Sequence, residues 1–227
     1  MSTQTERAYR HFHEQLEELT RRLLDMSRHV ETAIDLAVDA LLERDPDQAN
    51  MVLAGDRALN ELELEIEHIA VSLLALQQPM ARDLRFVIGA LKFSADIERV
   101  GDHAVNIAEC AIRLDRDGIR LLPQPEIAAM ARDSRRMLVD AIDSFVRSDA
   151  SLGRDVCRRD DGVDALHDSI FRTIEQQMRD DPSTISSALQ LLLVIRNLER
   201  IADLSTNIAE DAVYLAEGRT IKHGGGA

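Results

Sequence analysis

The clearest candidates for chemistry in this chain are two stretches that carry oxygen donors at the same spacing. Glu98-Arg-Val-Gly-Asp102-His-Ala-Val-Asn106-Ile-Ala-Glu109 aligns without gaps to Glu199-Arg-Ile-Ala-Asp203-Leu-Ser-Thr-Asn207-Ile-Ala-Glu210. On a helix, carboxylates at i and i+4, followed by an amide and another carboxylate, rise along one side over about three turns. Such a ladder of hard oxygen donors suits a divalent or trivalent metal such as iron, Mn, Mg, Zn or Ca better than copper. The candidate metal ligands are therefore Glu98, Asp102, Asn106 and Glu109 in one copy and Glu199, Asp203, Asn207 and Glu210 in the other. His103 has Leu204 as its counterpart and reads as a bystander.

A plainer reading competes with this one. Phe93, Ile97, Val100, Ala104, Ile107 and Ala111 form an apolar stripe, and the acids fall on roughly the opposite side, turned away from the packing, as on any surface helix. Arg99, three residues before Asp102, offers an ordinary exposed ion pair worth a few tenths of a kcal/mol. The repeat counts against mere solvation. A solvated face asks only for polarity, yet Glu, Arg, Asp, Asn and Glu recur at fixed spacing while core positions drift from Val100 to Ile201 and from Ala104 to Ser205.

Enzyme readings are weaker. A carboxylate-bridged di-metal oxidase or hydrolase is the main alternative, since helical bundles host such sites, but neither Glu98 nor Glu199 has a His three residues later. The chain has no Gly-rich phosphate loop and no GKS/T, and Ser205 and Cys110 show no base partner. No catalytic residue is assigned. A structural bundle whose acids serve only solubility stays open beside these.

The elements that would hold the ladders are helices. Leu16, Leu19, Leu23, Met26, Val30, Ile34, Val38 and Leu41 recur at three- and four-residue steps, which predicts one long helix from about Thr5 to Glu43, ending before Pro46. A second runs through Leu59, Ile66 and Leu73 to about Gln78, and a third from about Ala81 to Leu114. Gly118, Pro123 and Pro125 then mark the best boundary. The pattern restarts with helices over about Glu126 to Arg147, Leu152 to Arg179, and from Pro182, capped by Asp181 or Ser183, to Gly218. Asp56-x-x-x-Asn60-x-Leu62 is echoed by Asp160-x-x-x-Asp164-x-Leu166 in the same order. The expected fold is all-α: two tandem three-helix bundles, residues 1–118 and 119–227, with short connections making neighbours antiparallel.

Composition agrees. Hydrophobic residues make up 45% of the 227 residues but aromatics only 3%, as in long amphipathic helices. A formal net charge of -14 repels phosphodiester backbones, so no nucleic-acid partner is expected, and basic protein surfaces or cations fit that sign. Cys110 and Cys157 lack CxxC spacing and are too few for a disulfide framework. The start shows no apolar leader core and no run reaches membrane-spanning length, which makes a soluble cytoplasmic protein the expectation.

With its repeated ladder, the phrases Asp96-Ile-Glu-Arg-Val-Gly-Asp-His-Ala and Arg196-Asn-Leu-Glu-Arg-Ile-Ala-Asp, and Leu84-Arg85 ahead of the third helix's stripe, the chain resembles the PhoU family over nearly its whole length. The family's motif falls here on Glu98 with Asp102 and Glu199 with Asp203. The second copy has Asn197 where the first has Asp96, so a ligand at Asp96 would not be symmetric. The resemblance implies a six-helix, two-bundle fold and a cytoplasmic negative regulator of the phosphate-starvation response. It implies an adaptor between the ATPase of the phosphate ABC transporter (PstB-like) and a sensor histidine kinase (PhoR-like), meeting the membrane only through those partners. It also implies multinuclear iron or other metal on the motif faces and a homodimer.

Overall fold

The computed structural model describes residues 2–117 and 124–221, with side chains for 10–116 and 125–221. Six long helices account for nearly all of it: α1 (Ser2–Glu43), α2 (Pro46–Gln77), α3 (Ala81–Asp117), α4 (Gln124–Arg147), α5 (Ala150–Asp180) and α6 (Ile185–Glu217). A 3₁₀ turn, Pro182–Thr184, leads into α6, and no strand occurs among the described residues. The predicted break at Gly118 and Pro123 lies outside the described residues.

Local chemistry sets the ends. Asp45 caps α2, its carboxylate accepting from the backbone amides of Asp47 and Gln48, and Pro46 sits where no amide is needed. Asp149 does the same for α5 through Ser151 and Leu152. The residue before each cap, Arg44 and Ser148, is left-handed, at φ 59° and 53°. The first and second helices of both halves thus turn by one device. Asp181, the expected cap, accepts from the Ser183 amide and starts the 3₁₀ turn rather than α6 itself. At the far end Gly218, at φ 70°, stops α6 by donating its amide to the Tyr214 carbonyl at 2.8 Å.

Helices α1, α2 and α3 pack on one another, as do α4, α5 and α6, giving two tandem three-helix bundles. The halves join mainly through α3 against α6, with a smaller contact of α1 on α4. Lys92 Nζ lies 3.2 Å from Asp211 Oδ1, and His103 Nδ1 lies 2.8 Å from Asn197 Oδ1. Residues early in α3 therefore meet residues late in α6, and the two helices run antiparallel. Arg135 reaches across from α4 to grip Asp35 on α1, its Nε and Nη2 donating side by side to the two carboxylate oxygens. One continuous apolar core runs through both halves, from Leu19, Met26 and Ile34 through Ile97 and Phe145 to Ile195 and Ile208.

Close approach of α2 to α3 depends on a glycine. A Cβ on Gly101 would lie 2.1 Å from Leu59 Cδ2, inside van der Waals contact. The corresponding pair in the second half is Ala202 with Val163, a methyl gained on one helix and a methylene lost on the other. The two halves thus fill the same seam with different distributions of bulk.

Candidate functional site

The ladder residues do not stand on an isolated face. α3 is packed by α1, α2 and α6, so the side opposite its core stripe narrows to a strip bordered by α2. Asp102 and Asn106 are exposed, as the sequence leads one to expect, but Glu98 is half-buried at that border. The expectation that all the donors point away from the packing holds for Asp102 and Asn106 alone: Glu109 in this copy and Glu199, Asp203, Asn207 and Glu210 in the other are, like Glu98, partly buried. Asp56 and Glu63 of α2 lie close enough to Glu98 to act on it electrostatically, and Glu63 feels Asp102 in turn. Burial first, then Asp102, Glu63 and Asp56, raises the Glu98 carboxyl above its ordinary range. Burial and then Glu67 do the same for Glu63.

The second half builds the equivalent seam between α5 and α6. Asp160, half-buried, is pushed up to about 6 by burial and then by Asp164 and Asp203. His167 stands where the first half has Glu63, its Nε2 lying 3.9 Å from Glu199 Oε2. Two partner oxygens are orphaned, one per seam: Asn60 Oδ1 and Asp160 Oδ1 are buried without a hydrogen bond. The Asn60 amide nitrogen donates to Asp56 Oδ2 at 3.2 Å, so its oxygen is free for another partner.

The lower rungs are placed differently. Glu109 is held by Arg113 at 2.8 Å, while Asn207 and Glu210 are half-buried. Glu210 lies near Cys157, whose thiol is raised to about 11 by burial and then by Glu210; burial also takes Cys110 to about 11. Neither cysteine is a ready thiolate. The expected Arg99–Asp102 pair does not form. Arg99 turns back to Asp96 at 3.4 Å, whereas Arg200, facing neutral Asn197 behind it, pairs forward with Asp203 at 2.9 Å. His103 has a structural partner in Asn197, its Nδ1 2.8 Å from the amide oxygen.

The sequence identified the ladder on the third helix of each half, but Asp56, Asn60, Glu63, Asp160, Asp164 and His167 belong to the same two seams. The signal for four of them was present in the echo between the second and fifth helices. Glu63 and His167 carry no shared residue type, and only register along α2 and α5 brings them in.

A PhoU domain model matches residues 23–111 and again 127–212, once on each three-helix half. The chain belongs to the PhoU family. It is 37% identical over 214 residues to the phosphate-specific transport system accessory protein PhoU homolog of Pseudomonas putida, covering 94% of this chain and 84% of that protein. To the protein of the same description in Aquifex aeolicus it is 39% identical over 209 residues, covering 92% and 94%. The crystal structure of PhoU from Pseudomonas aeruginosa matches with a TM-score of 0.89 at 36% identity, over 92% of this chain and all of that one. That of the phosphate transport system regulatory protein PhoU from Streptococcus pneumoniae gives 0.84 at 31%, over 92% and 98%.

Metal is the group that the family resemblance implies for these ladders. The donor types and charge of the seams suit a hard cation: carboxylates in excess of local cations and an orphaned oxygen in each. Among the described residues, no three His, Cys, Asp or Glu side chains converge to hold an ion as they stand. Among the same residues, no helix is long and apolar enough to cross a membrane.

Proposed function

We propose that this protein is an accessory and regulatory protein of a phosphate-specific transport system, acting by binding rather than by catalysis. In this reading it restrains the phosphate-starvation response in the cytoplasm, as a homodimeric adaptor between a transporter ATPase and a sensor histidine kinase. The relatives' descriptions as accessory and regulatory proteins support the transport link. The observation that carries the binding reading is the pair of acidic seams, in which half-buried like charges outnumber the cations beside them, Arg99 in the first and Arg200 in the second. Such an arrangement costs stability, and a basic partner surface or a hard cation relieves it. Glu98 and Asp102, with Asp56 at hand, and Glu199 and Asp203, with Asp160, are the residues that would hold a cation. Bound there, it would cancel like charge and fix the surface presented to partners.

Deleting the gene should switch on a phosphate-starvation reporter in phosphate-replete cells, and a reporter that stays silent rejects the repressor role. The metal part is tested separately, by elemental analysis of protein purified without chelator. Asp102→Ala with Asp203→Ala should lose the metal that the wild type carries. Equal metal content in both would place any ion elsewhere.

A further inference from the structure

Beside the second seam lies a cleft of about 630 Å³ between α5 and α6. Phe171, Leu189 and Leu193 line it at 43%, 51% and 41% exposure, with Leu192 behind them. The fold does not demand apolar residues at two of these positions. The first half forms the same helix pair with Glu67 in place of Phe171 and Lys92 in place of Leu193. Gln190 Oε1, in the cleft wall, is buried without a hydrogen bond. Leaving large apolar side chains in water forgoes the gain of burying them, a gain that a docked apolar surface would recover.

The charge around the cleft selects its occupant. His167 and Glu199 close the end nearest the ladder, and Asp160, Asp164 and Asp203 lie just beyond. Arg196 also lines the cleft and Arg200 stands beside Asp203, so acids still exceed cations on this side. A second copy of a chain with net charge -14 would bring acid to acid. We infer that the α5–α6 cleft docks an amphipathic helix of a partner protein, its apolar side chains over Phe171, Leu189 and Leu193 and its Lys or Arg residues against the Glu199 end. In helix-in-groove recognition the docked helix supplies anchors three or four residues apart, and Leu189 and Leu193, one turn apart on α6, give such anchors a continuous apolar wall to pack on. The inference rests on the adaptor reading and names the surface through which one partner is held.

The test exchanges two cleft residues for those of the first half, Phe171→Glu with Leu193→Lys; because Lys92 is held there by Asp211, circular dichroism first checks that the double variant keeps the wild-type helix content and melting temperature. The probe is a fluorescein-labelled synthetic helix of about five turns, with Leu at three- and four-residue steps and Lys on both flanks. Fluorescence anisotropy should show the wild type binding it and the double variant binding about tenfold or more weakly. A version of the helix with Glu in place of Lys should bind the wild type more weakly than the Lys version. Equal binding of wild type and double variant, or of the two helices, overturns the proposal. So does light scattering that finds a wild-type dimer and a monomeric double variant, because the cleft would then be a self-interface. In cells, the double variant should switch on the starvation reporter at wild-type protein level. A reporter that responds to gene deletion but not to the double variant sinks the cleft and leaves the adaptor role standing. Silence on deletion sinks the adaptor role itself, while the peptide result still decides the cleft.

Discussion

The two acidic seams carry the same ladder on their third helix and differ in what the second helix sets beside it. In the first, Asn60 softens the contact with Asp56, and Glu63 and Glu98 share the electrostatic load. In the second, Asp164 replaces that amide, the load concentrates on Asp160, and His167 takes the place of Glu63 beside Glu199. A repeated motif is therefore not a repeated site. Identical residues acquire different properties because the neighbouring helix, which diverged more freely, sets their dielectric and their company.

Copying one half into the other is the way to break this comparison, and the largest effect should come from packing. Gly101→Ala places a methyl against Leu59 and should cost about 2 kcal/mol in urea denaturation followed by circular dichroism, as overpacking of a tight core does. Adding Leu59→Val, which recreates the Ala202–Val163 pair, should recover more than half of that loss. If the double variant is no better than the single one, the halves do not share a packing scheme.

Asn60→Asp gives the first seam the acid pair of the second. It removes the hydrogen bond to Asp56 and adds a like charge, for an expected loss of about 1.5 kcal/mol at pH 8. Protonation relieves the repulsion, so the loss should shrink at pH 5. A pH-independent loss would mean that the hydrogen bond alone mattered.

Asp160→Asn is the converse and should stabilise. The folded carboxyl sits near 6 against an ordinary 3.8, a difference of roughly 3 kcal/mol by the usual conversion. Because the group is only half-buried, screening should reduce this to about 1 kcal/mol. A raised carboxyl stabilises the fold below pH 4, where both states are protonated, and that contribution fades as pH rises through about 6. The variant's advantage should thus be absent at pH 4 and full at pH 7.5, and an advantage that shrinks with pH would reverse the assignment. The smallest effect belongs to the surface pair. Arg200→Gln should change stability by no more than about 0.3 kcal/mol, because Asp203 and Arg200 are both substantially exposed.

Most of the architecture was legible because it is written in local chemistry. Leu, Ile and Ala at helical spacing, Pro46 and Pro182 at the starts of their helices, and Gly218 after the last one each act within a few residues of chain, whereas the caps Asp45 and Asp149 emerged only with the structure. The ladder was legible because it was duplicated. What the sequence did not reveal depends on how helices lie against each other. Glu98 is half-buried because α2 borders it, and Arg99 turns to Asp96 instead of Asp102 because a second acceptor stands one turn back. The cleft at Phe171 needs both α5 and α6 in place before it exists.

The antiparallel pairing of α3 with α6 also constrains how this body could be divided. Each of these helices belongs to its own bundle and at the same time supplies the surface that closes the other, with Lys92 reaching Asp211 and His103 reaching Asn197. A half-length chain would leave its third helix bare along that joint. The covering it needs is a related helix running the opposite way, so a severed half should self-associate, and six helices made as two separate polypeptides should reassemble.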